Sequence, residues 1–339
     1  MNQSLTEFRE NYLERLLSFL WRQWSALGVA GYGTSDDQWF IDPEALLLFT
    51  CHLGRYDARL FDEVLDWLNT NGNSINIQRL RNILHSENFT DKKVLTAIAD
   101  FMSRQHKLLK WRRLKNVDNM GASKSEESLF FLKDGKPMEQ FGKPEAMFQK
   151  HGFYRGEINL RKHTQPVRVI YNTGFLFKLR ALFGINARCE IIAYLLTHES
   201  VHPSLIARET YYSQKTVQDT LVEMTQSDLV HIRPIGKEKH YWVNKEVWLS
   251  FLGHQDKQIQ WINWPSLLSS LEQIWLKLNQ DKFLGLDSLV QSSELRALMQ
   301  KVRPKIESAG FANAISNDRL YLGESYLSIF LSDVEKILG

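Results

Sequence analysis

Apolar side chains recur three and four residues apart from the start of the chain. Phe8, Tyr12, Leu16, Leu20, Trp24 and Leu27 predict one long amphipathic helix. Ser4-Leu5-Thr6-Glu7 ahead of it fits a capping box, and Gly28 and Gly31 end it. Asp42-Pro43-Glu44 opens a second helix, with proline at the first position and acid in the first turn, continuing through Leu46 and Leu53 to Gly54. Leu60, Phe61, Val64, Leu65 and Leu68 predict a third, and Asn71-Gly72-Asn73 a turn after it. Residues 74–84 read as a short helix and 91–109 as a longer one. Residues 129–165 have no clean period and predict short irregular elements, with a short strand at 167–171.

The pattern changes between 186 and 243. Asn186 caps a helix with Ile191, Ile192, Leu195 and Leu196 inward; His202-Pro203-Ser204 starts a short helix; Ser213 starts another with Val217, Leu221 and Met224 as its stripe. Residues 229–234 and 240–243 then read as strands, joined by a hairpin tip at 235–239. Beyond lie helical patterns from Trp264-Pro265, from Ser288 to Val302 with Pro304 disturbing its continuation, and at the C-terminus.

The stretch IARETYYSQKTVQDTLVEMTQSDLVHIRPIGKEKHYWV resembles the DNA-binding core of bacterial winged helix-turn-helix regulators of the MarR and ArsR type. The resemblance lies at Ile206-Ala207, Thr210, Ser213, Thr216-Val217, Leu221, Met224, Leu229-Val230, Gly236 and Tyr241, over about 55 residues. Two positions depart from that family: Tyr211 stands in the turn where glycine is usual, and Asp228 stands where glycine commonly precedes the wing. The resemblance implies a recognition helix over 213–227 and a wing over 229–243.

The expected fold is therefore mainly α, multi-domain, with a central winged helix-turn-helix carrying a small β-hairpin. The expected regions are an N-terminal helical domain (1–110) whose order resembles a second helix-turn-helix, a basic segment and irregular linker (111–165), the winged helix-turn-helix (166–252) and a C-terminal helical domain (253–339). Phe330, Leu331, Val334 and Leu338 are candidates for a dimer interface or for covering the monomer's own core.

On the expected recognition helix, Gln214, Lys215 and Gln218 lie away from Val217, and such side chains can pair with adenine and guanine edges. Ser213 and Thr216 can reach phosphate, and Arg233, Lys237, Lys239 and His240 on the wing can meet an adjacent phosphate strip. Further candidate DNA contacts are Gln78, Arg79 and Arg81, and Lys107, Lys110, Arg112, Arg113 and Lys115 of the acid-free run KLLKWRRLK. Charge tempers the case. The whole chain carries +3, and between 204 and 243 five basic residues (208, 215, 233, 237, 239) face five acidic ones (209, 219, 223, 228, 238), so placement must do what net charge does not.

No phosphate-loop, nucleophile-elbow or zinc-protease motif occurs, so no enzyme, cofactor or metal is expected; Gly31-Tyr32-Gly33 reads as a loop, Asp36-Asp37 and Glu126-Glu127 as solvated turns, and Cys51, His52, Cys189 and His198 as packing or capping residues. Two distant cysteines, no apolar run of membrane-spanning length and no signal-peptide pattern lead to a cytoplasmic expectation without membrane contact. The expected function is a sequence-specific transcriptional regulator of double-stranded DNA, a repressor acting as a homodimer; the alternative is a protein-binding adaptor or antitoxin-like partner that also regulates its own gene.

Overall fold

Side-chain caps open most of the helices. The structure is a computed structural model, and it describes residues 4–29, 39–104, 108–114, 126–139, 141–254 and 258–338. Gly31-Tyr32-Gly33, Asp36-Asp37, Lys107 and Lys115 lie outside the described residues. Ser4 Oγ accepts the Glu7 N–H at 3.2 Å and opens α1 (Leu5–Ala26). Asp42 accepts from the N–H groups of Glu44 and Ala45 and opens α2 (Pro43–Leu53). Asp57 and Asn76 do the same for α3 (Ala58–Asn71) and α4 (Ile77–Ser86). Then α5 (Lys92–Met102) ends well short of Leu109. A 3₁₀ turn at Leu109–Leu114 follows, because Leu108, Trp111 and Leu114 stand three apart and only the tighter helix stacks all three inward.

The expected linker is packed structure. A two-residue parallel ladder joins β1 (Glu127–Ser128) to β2 (Phe153–Tyr154), with α6 (Ala146–Lys150) between them. Leu129, Phe130, Phe148 and Phe153 are buried in the main core, and Asp66 of α3 receives the N–H groups of Lys162, His163 and Thr164. Residues 167–171 form no strand; their backbone is irregular.

Next come α7 (Phe175–Phe183), α8 (Ala187–Thr197), α9 (Pro203–Thr210), α10 (Gln214–Thr225), the antiparallel hairpin β3 (His231–Ile235) and β4 (Glu238–Trp242), and α11 (Lys245–Phe251). The chain finishes with α12 (Trp264–Leu278), α13 (Asp281–Leu284), α14 (Ser288–Ile306) and α15 (Ser325–Leu338). Pro304 does not end α14, which runs to Ile306; Gly310, at φ 99°, kinks the π turn at Glu307–Phe311 that follows.

The fold is mainly helical, and its apolar residues form two clusters. The larger joins α1–α5 to α12–α15, so the stretches 1–110 and 253–339 share one core instead of building two. Every residue of α2 is buried, as the centre of such an arrangement requires, and α12 packs along it. Phe330 and Val334 of α15 are fully buried in this cluster, with Leu331 and Leu338 half-buried against it, which removes the first two from any dimer surface. The smaller cluster holds α7–α11 and Phe40.

Ionic groups weld the clusters together. Glu44, at the start of α2, is fully buried and takes both Nη atoms of Arg180 from α7, at 2.8 and 2.7 Å. Arg79 of α4 clamps Asp42 at 2.9 and 2.6 Å, reaches Glu44 at 2.9 Å and donates to the carbonyl of Thr210 at the end of α9. Arg180 also meets Glu190 of α8 at 2.7 Å, and Glu190 receives the hydroxyl of Tyr212. Burial alone would raise the Asp42 carboxyl, but the Arg79 charge and hydrogen bonds outweigh it and hold it below the usual carboxylate range. Removing one member of such a buried set strands a charge and typically costs about 3–5 kcal/mol. The consequence is positional: the end of α9 and the start of α10 are fixed to the helical body.

Candidate nucleic-acid interface

Two helices crossing at a tight turn set this surface. Ile206 and Ala207 of α9 and Val217, Leu221 and Met224 of α10 are buried against each other's side of the smaller core. Ser213 Oγ accepts the Thr216 N–H at 3.1 Å and starts α10 abruptly. Both positions where glycine was missing are left-handed, with φ 63° at Tyr211 and 57° at Asp228. A residue with a Cβ loses roughly 1 kcal/mol there. Tyr211 recovers it through its side chain. Its ring enters the main core, and its hydroxyl donates to Glu87 Oε1 at 2.7 Å and lies 3.1 Å from Asn263 Oδ1 and 3.2 Å from Ser266 Oγ. Asn82 Nδ2 donates to the Tyr211 carbonyl at 2.8 Å. Asp228 has no such anchorage: its side chain is fully exposed, with His231 Nδ1 3.8 Å away.

The opposite face of α10 is open. Gln214, Lys215, Thr216 and Gln218 are exposed, and Lys215 makes no ion pair among the described residues. Ser213 and Thr216 are exposed too, but their hydroxyls lie 2.8 Å apart in the cap. The hairpin stands nearly free: Ile232 to Lys239 are all exposed, and Gly236 turns the tip at φ 61°. Arg233, Lys237 and Lys239 project from it, whereas His240 is half-buried, 3.4 Å from Glu238 and beside the His202 ring. Only the base is held, by a reciprocal backbone pair between Val201 and Tyr241 at 2.9 and 2.8 Å. That third short strand position gave no sequence signal.

The remaining candidates separate. Arg79 is 1% exposed and spent on the buried network, so it is withdrawn as a DNA contact. Lys110 is withdrawn as well. Its Nζ donates to the carbonyls of Asn73 and Ile75, and burial beside Arg180, partly offset by Glu44, lowers its pKa to about 8. Arg112 and Arg113 are exposed. Gln78 and Arg81 line a cleft of about 870 Å³ between α4, the α9–α10 turn, the start of α12 and the end of α14. Ser213 lines the same cleft, so the suspected second set of contacts lies across a gap from the first turn of α10. Asn82, His85 and Lys305 share this cleft; the first two follow Gln78 at helical spacing, which puts them on its face, whereas Lys305 comes from a distant helix that the spacing does not announce.

One other group of titratable residues stands out, inside the main core. His52 Nδ1 lies 2.6 Å from Asp91 Oδ2, Arg55 holds the other Asp91 oxygen at 2.9 Å, and Glu272 Oε1 receives the N–H and hydroxyl of Thr90. Burial pushes the Glu272 carboxyl up to about 7, against the lowering influence of His52 and Thr90. Burial opposes charge on His52, but Asp91 and Glu272 outweigh it and raise its pKa. None of these side chains lines the cleft. Comparison with protein-family models, curated proteins and solved structures finds no match to the chain.

Two outcomes follow. Tyr211→Gly relieves backbone strain but empties a buried ring site and strips a donor from Glu87, so urea denaturation should show a net loss of about 2–4 kcal/mol. Asp228→Gly should change stability by no more than about 1 kcal/mol, and a gain for Tyr211→Gly would contradict the anchoring role. In the folded chain Glu272 keeps a proton that the unfolded chain releases near the ordinary value of 4.5. Folding therefore takes up a proton between those values, and stability falls as pH rises through the window. The stability of Glu272→Gln relative to the parent should accordingly climb by about 3 kcal/mol from pH ~4 to pH ~8, and a flat difference would refute the buried proton.

Proposed function

We propose that residues 166–252 act as a winged helix-turn-helix that reads double-stranded DNA, in a transcriptional regulator. The observation that carries this is the division of α10. Val217, Leu221 and Met224 hold the helix to the core, while Gln214, Lys215 and Gln218 face outward at the end next to its N-terminus. A major groove admits one helix, and the first turns of that helix meet the base edges. Glutamine can accept and donate to one adenine, and lysine can donate to guanine.

Further support comes from element order and strain. A helix, a strand position at Val201, two helices, then a hairpin follow one another in α8, α9, α10, β3 and β4. Left-handed residues at Tyr211, between α9 and α10, and at Asp228, ahead of the hairpin, support the same reading. The free hairpin carries Arg233, Lys237 and Lys239 as phosphate partners. Balanced local charge is no obstacle in this reading, because Glu223 is engaged by Arg188 and Glu209 by Arg208, whereas Lys215 is open. Repression as a homodimer fits a module with a single short reading helix. With Phe330 and Val334 buried, its contacts would come from exposed apolar residues such as Val247 and Phe251 of α11.

A second reading, a protein-binding adaptor, is favoured by Ile232 and Ile235, which stand exposed on the hairpin at 43% and 48% where a purely phosphate-facing wing has no use for them.

Binding to duplex DNA from the region upstream of the protein's own gene, measured over a salt series, separates the two. The wild type should prefer specific sequences, and Gln214→Ala/Lys215→Ala/Gln218→Ala should lose that preference, at about 1–3 kcal/mol per lost base contact, while keeping salt-sensitive binding. A wild type without sequence preference at any salt would sink the regulator reading and leave the adaptor.

A further inference from the structure

We propose that the cleft between α4 and the start of α10 is a phosphate-binding site. Helix α4 buries Ile77, Leu80, Ile83 and Leu84 and turns Gln78, Arg81, Asn82 and His85 into the cleft, all on one face. The acids of the cleft are already engaged. Glu87 receives Lys305 at 2.5 Å, Ser269 at 2.7 Å and the Tyr211 hydroxyl, and Glu209 receives Arg208 at 2.9 Å and Asn263 at 2.8 Å.

Arg81 is different. It makes no ion pair among the described residues, and its Nε is buried without a hydrogen-bond partner. His85 Nδ1 donates to the Arg81 carbonyl at 2.9 Å, and the other ring nitrogen can donate to a phosphate oxygen when the ring is an imidazolium. Across the gap, the cleft is lined by Ser213, the cap of the twelve-residue α10, whose Oγ takes the Thr216 N–H; the amides of Gln214 and Lys215, next along the chain, have no acceptor within that helix. A guanidinium fork on one wall and a helix N-terminus on the other suit a group with charge and several acceptor oxygens, which is a phosphate.

The phosphate has two sources: the DNA backbone beside the bases that α10 reads, or a free phosphorylated small molecule. The first rests on the function proposed above; the second does not. The cleft thus deepens the α10 surface into a two-walled grip, with α4 of the helical body as the second wall.

The test uses the full chain and the variants Arg81→Gln/His85→Gln and His85→Gln. Two quantities are measured: DNA affinity against salt, and the melting temperature against inorganic phosphate at constant ionic strength. If backbone phosphate fills the cleft, the double variant lowers the slope of log affinity against log salt by about 1–2 and weakens all sequences alike, roughly tenfold, with preference intact; the single variant, which keeps Arg81, gives the smaller share of the slope change. If a free phosphate fills it, inorganic phosphate raises the wild-type melting temperature and fails to raise that of the double variant, even when no DNA is bound. Unchanged slopes together with equal phosphate responses in wild type and both variants would overturn the proposal. A wild type without sequence preference would fault the DNA reading and leave the inorganic-phosphate measurement to decide the cleft.

Discussion

Glu44 is the constraint on which the arrangement turns. A fully buried carboxylate at the head of an all-buried helix must be compensated, and it draws Arg180 and Arg79 from two other helices to do so. Those arginines bring Asp42, Glu190 and the carbonyl of Thr210 with them. Two separate apolar clusters are thereby held in one geometry. Hydrophobic packing alone is non-directional; a bidentate arginine fixes angle as well as distance.

This geometry reaches the candidate reading helix through the turn before it. Tyr211 accepts a strained backbone because its hydroxyl sits among Glu87, Asn263 and Ser266, and Tyr212 reaches Glu190 and Asn76. Glycine would satisfy the turn but could not tie it to the body. The start of α10 is therefore set by α4, α8 and α12, and a groove of fixed width can be met by side chains that need not search for their orientation.

Local patterns were readable where the cause is local. Ser4, Asp42, Asn186 and Ser213 all cap the helices their sequences announce, and the stripe of α10 is where its spacing puts it. Long-range pairing was not readable. Arg79 looks like a surface residue between Gln78 and Arg81, because nothing nearby announces that Asp42 and Glu44 will face it. Lys110 likewise reads as part of a basic run, yet its ammonium is taken by carbonyls at Asn73 and Ile75. The shared core of α2 and α12 joins segments more than two hundred residues apart, and the stretch 129–165 packs through scattered phenylalanines with no period. At the site, the exposed row of α10 was legible, whereas the cleft needed α4 to be placed beside it.

The central claim is that the open face of α10 and the hairpin meet DNA. Acetylation of lysines, followed residue by residue by mass spectrometry with and without duplex from the region upstream of the gene, tests it directly. Lys215, Lys237 and Lys239 should be shielded by the duplex, while Lys282 and Lys301, also exposed, on the C-terminal helices, keep their reactivity. Unchanged reactivity at the first three, or shielding confined to the last two, would contradict it.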